Sequence, residues 1–402
     1  MHIILYLIRH IVQILYHEFV KFVVREYAKY TFIEFTYCKP TKFVLESSKI
    51  LGVILLNKKL TPLSSILLSS VILLSACASP DAAAGVASPA GEGGGQDVIN
   101  IRIAHVALEI TPIAQAVERF AHVLEERSEG RFNVDIFPNS VLGGNRELIE
   151  QLQMGTLEMA APSVASLGGF TDGTALFDLP YLFDSQEGAF AVFDSEIGRG
   201  ILDDLLAANI VGLDWYAMGW RNLTANREIR TPEDMQGLRV RVIENQMHID
   251  HFNALGASAT PMAFAEVYTS LQQGVIEAQE NPYSQIYSQR FYEVQSHIIE
   301  TQHIFDPVPL IMSRIWWESL TPEDQALIRE VSAETVEWQR GIIDEIDGEL
   351  RDRLMDIVTI IELTPEERAA FRAASQPVYD ANIDLVGADV LQRVAEIQAA
   401  LN

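Results

Sequence analysis

Residues 145–158 read NRELIEQLQMGTLE and residues 264–277 read FAEVYTSLQQGVIE, one pattern recurring 119 positions apart. Glu147 matches Glu266, Leu152 matches Leu271, Gln153 matches Gln272, Gly155 matches Gly274 and Glu158 matches Glu277. Each copy reads as an amphipathic helix, a glycine that stops it and a short strand. A period this long excludes a solenoid, whose units run from about 20 to 50 residues. Two related α/β lobes facing each other across a cleft account for the repeat. Chance likeness between two helix–glycine–strand units is the alternative.

The flanking sequence supports the lobes. VINIRIA at 98–104 alternates apolar and polar residues as a strand does. Thr111-Pro112 opens a helix, with Ile113, Val117, Phe120 and Leu124 on one face. Gly130 ends it, and 132–137 is a second strand. This strand–helix–strand order predicts a largely parallel sheet. Residues 211–222 read as a strand crossing to the second lobe. From Thr321-Pro322-Glu323-Asp324 a helical pattern runs to about Val358 with almost no breakers. That is long for a globular helix and predicts a brace across both lobes. Another helix begins at Thr364-Pro365, and helical segments run to the end.

Charge narrows the function. The last lysine is Lys59, and from Ala78 onward 20 arginines face 51 acidic residues. Such a surface repels nucleic acid and anionic lipid headgroups. An anion site must therefore be local and built from arginine. Hydrophobic residues make up 49% of the chain, enough for a sizeable core. The two cysteines, Cys38 and Cys77, imply no disulfide framework.

Residues 58–77, KKLTPLSSILLSSVILLSAC, read as a lipoprotein signal peptide: two lysines, an apolar run, then small residues. A short transmembrane helix is the alternative, but the run falls short of the ~20 residues a span needs. Leu74-Ser75-Ala76-Cys77 resembles the bacterial lipobox, which makes Cys77 the lipidated residue and mature N-terminus. Residues 78–97 form a flexible tether rich in alanine, glycine and serine. Residues 1–57 are a doubtful extension. They read either as sequence upstream of the true start or as a hydrophobic segment lying on or crossing the membrane.

Leu238, Val240 and Val242 alternate with Arg239 and Arg241, so on a strand both arginines face away from the core side. Arginine suits planar, bidentate carboxylate recognition. A surface ion pair is the commoner role for either residue. No Gly-x-Ser-x-Gly elbow, phosphate loop, Cys-x-x-Cys or His-Glu-x-x-His occurs, so no catalytic or metal residue is assigned.

Longer segments carry a resemblance. GWRNLTANREIRTPEDMQGLRVRV (219–242), LGASATPMAFAEVYTSLQQGVIEAQENP (255–282) and FYEVQ (291–295) resemble the solute-binding subunit of tripartite ATP-independent periplasmic (TRAP) transporters. LGGNRELIEQLQMGTLEMA (142–160) and FDLPYLF (177–183) fit the same family, and the likeness covers about residues 98–340. It implies a two-lobed α/β fold of the periplasmic-binding-protein kind, with a ligand cleft between lobes and a long helix bracing both. Lobe I is expected from 98–218 and 307–346, and lobe II from 219–306 and 347–402. The resemblance makes Arg241 the bidentate partner of a ligand carboxylate and Arg221 a second arginine near it. It makes Asn281 an amide bonded to that carboxylate and Phe264 an aromatic wall. Asn145 and Ser163 fall where some members touch the ligand's other end; His105 and Trp220 are weaker candidates. Glu277-Ala278 stands where many members have Asp-Gly.

The implied protein is extracytoplasmic, lipid-anchored and not an enzyme. It needs no cofactor, binds a small organic carboxylate and delivers it to TRAP permease subunits in the membrane. A carboxylate-sensing module and an enzyme acting on a carboxylate are the alternatives.

Overall fold

A computed structural model describes residues 98–401, within the unit Gly93–Asn402. The signal segment, Cys77, the tether and residues 1–57 lie outside the described residues. The chain begins with β1 (Ile99–Ala104), α1 (Pro112–Arg127), β2 (Phe132–Phe137), α2 (Asn145–Met154) and β3 (Met159–Ala160). Thr111 Oγ1 accepts from Ala114 N at 3.2 Å and Pro112 fills the first turn, so α1 starts where the sequence puts it. Two short helices, α3 (Gln186–Asp194) and α4 (Glu196–Asp204), lead to β4 (Ile210–Trp220). Then follow β5 (Asn222–Ala225), β6 (Arg239–Val242), α5 (Gln246–Ala254), β7 (Ser258–Pro261), α6 (Val267–Gln272) and β8 (Ala278–Asn281). After α7 (Tyr283–Ser288) and β9 (His297–Ile299) comes β10 (Phe305–Ser313), then α8 (Arg314–Trp317) and α9 (Pro322–Met355). β11 (Thr359–Ile361), α10 (Pro365–Ala374), α11 (Gln376–Val386) and α12 (Ala388–Ala399) close the chain.

The strands form two sheets, ordered β2-β1-β3-β10-β4 and β11-β9-β5-β8-β6-β7. In the first, β1 is parallel to β2 and β3, while β10 is antiparallel to β3 and β4. In the second, β6 is parallel to β7 and β8, while β5 is antiparallel to β8 and β9. Read from β7, the first five strands of the second sheet repeat the first sheet in order and direction, and β11, parallel to β9, adds a sixth. The sequence echo falls at one matching place in each. Gly155 N donates to Leu152 O and Thr156 N to Gln151 O, both at 3.0 Å. The same bonds recur 119 residues on, Gly274 N to Leu271 O at 3.1 Å and Val275 N to Ser270 O at 2.9 Å. Both glycines are left-handed, with φ of 71° and 70°. This is the geometry of a helix stopped by glycine.

Helices cover both faces of each sheet, as parallel strands require. On one side of the first sheet, Ile101 and Ile103 pack with α1, whose Ile113, Val117, Phe120 and Leu124 are fully buried. On the other, Ala104 and Ala160 meet Leu148, Leu152 and the aromatic group of Phe177, Phe193 and Trp215. Val240, Val242 and Phe252 form one core of the second sheet; Ile276, Ile298 and Leu350 form the other.

The helix α9 is 34 residues long, about 50 Å at ~1.5 Å per residue. Its Ile328, Val331 and Val336 join the α1 core, and its Leu350 and Leu354 join the second sheet's core. It therefore braces both lobes. The last helices pack differently from a simple split. Phe371 of α10 belongs to the second lobe's core, but Val378 of α11 and Val394 of α12 join the first lobe's. The expected lobe II segment 347–402 thus turns back over residues 376–399. An amphipathic pattern tells which face is buried, not against which lobe.

Candidate functional site

One cavity lies between the two sheets, at the ends of their parallel strands, where α/β folds hold ligands. Arg241, Arg221, Asn281, Phe264, Asn145 and Ser163 all line it. The first lobe contributes the start of α2 and the turn after β3. The second contributes the end of β6, the turn after β7, and the end of β8. His105 and Trp220 do not line it. Burial pushes the His105 imidazole down to about 4, and Trp220 packs edge-on against Phe305 at 5.1 Å.

Arg241 ends up buried because β6 lies between β7 and β8, paired with Thr260 and Gln279. Arg239, two residues earlier, is exposed and reaches Glu277 at 3.5 Å. Arg241 is only 3% exposed. Its Nε and Nη2 donate to the Met262 carbonyl at 3.1 and 2.8 Å, and its guanidinium lies 5.7 Å from the Phe264 ring. Among the described residues it forms no ion pair. Burial pushes it down to about 10, with Glu280 opposing that effect and Arg221 adding to it. A buried cation without an acid partner is costly unless something supplies the anion.

Arg221 differs. It stands between β4 and β5, where the chain crosses from one sheet to the other. Its Nε meets Glu280 Oε2 at 2.5 Å, Nη2 meets Glu280 Oε1 at 2.9 Å, and Nη1 pairs with Asp306. Nη2 also donates to Asn281 Oδ1 at 3.1 Å. Burial alone would lower its pKa, but the two acids outweigh burial and raise it. Burial would raise Glu280, yet Arg221 and His303 hold it below the ordinary carboxylate range. Asp306 stands at a register shift before Pro307 and accepts from Ser163 Oγ at 3.1 Å. The two arginines are therefore unlike: Arg241 has no ion-pair partner among the described residues, and Arg221 pairs with two acids and orients Asn281.

The family model of the bacterial extracellular solute-binding proteins, family 7 (DctP), matches residues 103–384. The chain belongs to that family. A C4-dicarboxylate-binding periplasmic protein of Rhodobacter capsulatus is 33% identical over 74% of this chain and 90% of its own. A TRAP periplasmic solute-binding protein from Shewanella oneidensis, solved with succinate, is 32% identical with a TM-score of 0.73. It is covered over 99% of its length by 75% of this chain. The sugar acid-binding protein of Advenella mimigardefordensis, solved with galactonate, is 30% identical with a TM-score of 0.74. It is covered over 99% by 76% of this chain.

This family 7 protein has further buried polar groups, some joined to Arg221 through Glu280, that the sequence did not reveal. His303 Nε2 lies 3.1 Å from Glu280 Oε2, and its Nδ1 lies 2.8 Å from Thr301 Oγ1. The His303 ring stacks on His251 at 5.5 Å, and burial lowers both imidazoles. Asn245 and His248 reach Asp178 at 2.8 and 3.3 Å. Glu280 was findable, because an acid inside the buried strand Ala278–Asn281 demands a partner. Asp306 carries the same signal in the fully buried Phe305–Ser313. Among the described residues no His, Cys, Asp and Glu cluster fits a metal, and no helix is long and apolar enough to cross a membrane.

Proposed function

We propose that this chain is the extracytoplasmic solute-binding protein of a TRAP-type secondary transporter and captures a small organic carboxylate for the permease. The observation that carries the reading is Arg241, a buried guanidinium on a cavity between lobes that forms no ion pair among the described residues. A ligand carboxylate supplies the missing charge. Arg241 pairs with it, and Asn281, held by Arg221, donates to it. Phe264 forms the aromatic wall, and Asn145 and Ser163 face the ligand from the first lobe. The open lobes admit the acid and close on it by hinge motion. Relatives solved with succinate and galactonate support the ligand class. Delivery to the permease and anchoring through lipidated Cys77 belong to this proposal.

A thermal-shift screen of the full chain in mild detergent, against dicarboxylates, sugar acids and hydroxy acids, tests it. A ligand at 100 times its Kd adds about 2.7 kcal/mol to stability, a readily measured shift. No shift with any carboxylate sinks the reading. Replacing Cys77 by serine should release the protein from the membrane fraction, and retention there would remove the anchor from the proposal.

A further inference from the structure

Asn281, the amide proposed above to meet the ligand carboxylate, is held from behind. Asn281 and Gln279 share one face of β8, and Thr224 on β5 is the cross-strand partner of Gln279. Asn281 Oδ1 accepts from Arg221 Nη2 at 3.1 Å, and its Nδ2 donates to Gln279 Oε1 at 2.6 Å. Gln279 Nε2 donates to Thr224 Oγ1 at 3.0 Å, and the Thr224 hydroxyl donates to Gln295 Oε1 at 3.1 Å. Gln295 Nε2 then donates to the backbone carbonyls of Val294 and Glu277 at 3.0 and 3.3 Å. Gln279, Thr224 and Gln295 are each at most 3% exposed, and none of them lines the cavity. Gln295 ends the FYEVQ segment, 71 residues from Thr224.

We infer that Gln279, Thr224 and Gln295 are positioning residues for carboxylate binding: they form a one-way hydrogen-bond chain that aims the Asn281 amide at the ligand. This inference rests on the carboxylate reading above. Both ends of the chain are fixed in sense. A guanidinium only donates, so Arg221 must face the amide oxygen of Asn281. A backbone carbonyl only accepts, so Val294 and Glu277 must face the amide nitrogen of Gln295. Every link between them runs in the direction that both ends demand. Turning over the Asn281 amide would set donor against donor at Arg221 and acceptor against acceptor at Gln279. The bond from Arg221 alone leaves the amide free to swing about its oxygen; the second bond, to Gln279, fixes its plane. An amide nitrogen carries two hydrogens, so one goes to Gln279 and the other remains for the ligand carboxylate. Thr224 is the link that an apolar residue of its shape cannot replace, because its hydroxyl accepts and donates at once.

Titration calorimetry on the full chain in mild detergent tests this, with succinate and galactonate first and then the other acids of the thermal-shift screen. Thr224→Val should weaken binding about tenfold, ~1.4 kcal/mol. Thr224→Ser, which keeps the hydroxyl, should stay within about twofold of the wild type. Gln279→Met breaks the chain one link nearer the ligand and leaves the Thr224–Gln295 bond intact. It should match Thr224→Val, and it serves in its place if that variant folds poorly. In an Asn281→Ala background, Thr224→Val should add no more than about twofold, because the amide it acts through is gone. Loss of stability alone would weaken binding by the same factor in both backgrounds. Wild-type affinity in Thr224→Val overturns the inference, as does an equal loss with and without Asn281, or a Thr224→Ser variant as weak as Thr224→Val. Unchanged affinity in Asn281→Ala overturns it too, and leaves the Arg241 clamp standing. If none of the screened acids binds the wild type, the carboxylate reading falls and this inference falls with it.

Discussion

At the scale of single residues, two arginines share one cavity and should respond oppositely to removal. Arg241 is buried against a carbonyl and a ring and forms no ion pair among the described residues. Its value in the fold, about 10, lies below that of an unfolded arginine. The sign follows: the cation costs stability at neutral pH, and the cost fades only as pH rises through about 10. Arg241→Met should therefore leave the unliganded protein as stable as wild type or more so. It should also erase stabilisation by ligand, a loss of ~2–5 kcal/mol in binding by analogy with buried charge pairs. Arg221→Met strands Glu280 and Asp306 beside each other and should cost about 3–5 kcal/mol even without ligand. Urea unfolding of both variants, with and without ligand, distinguishes them. A large loss of unliganded stability in Arg241→Met would show that Arg241 has a structural role that its contacts do not reveal.

At the scale of elements, the repeat makes a paired test. Gly155 and Gly274 end equivalent helices with the same left-handed backbone, yet their surroundings differ. A Cβ on Gly155 would come within 3.1 Å of Ile315 Cδ1, whereas one on Gly274 would meet nothing within 4 Å. Both glycine-to-alanine changes should cost ~1–2 kcal/mol for the backbone conformation. Gly155→Ala should cost more, because Ile315 has to give way. Equal losses in urea titrations would refute the steric part. These elements also mark what a sequence can reveal. The glycine stop and the capped helix starts are local signals that pointed to both lobes, whereas the alternation around Arg241 alone favoured a surface ion pair and only the family resemblance put Arg241 on the cleft. The partners of Arg221 were not legible, because Glu280 and Asp306 lie 59 and 85 residues away and only the folded sheets bring them near. The same holds for α11 and α12. Their apolar stripes are visible in the sequence, but their return to the first lobe depends on where α10 leaves them.

At the scale of the whole molecule, one half-buried carboxyl sits where the lobes join. Asp347 lies on the bracing helix α9, with its Oδ1 buried and unpartnered. It accepts from the Ser284 backbone in α7. It also packs under Gly219, the left-handed residue (φ 107°) near the end of β4, just before the chain crosses between sheets. The positive φ favours glycine there, and a Cβ would press on Asp347 Oδ2. Burial, helped by the charge of Asp344, pushes the Asp347 carboxyl up to about 8. An unfolded aspartate titrates near 3.9, so between about pH 4 and 8 the folded protein holds a proton that the unfolded chain has released. Stability from this group therefore falls as pH rises through that window. The buried His105, His251 and His303 act in the opposite sense below about 6.5, because the fold keeps them neutral. The clean readout is thus the difference between wild type and Asp347→Asn, which keeps the shape and the acceptor for Ser284. Unfolding midpoints taken from pH 5 to 8.5 should show the variant gaining on wild type as pH rises, steeply from 5 to about 7 and levelling off above about 8. A constant difference across that range would mean that Asp347 does not titrate, and that the junction holds its carboxyl in a single state throughout.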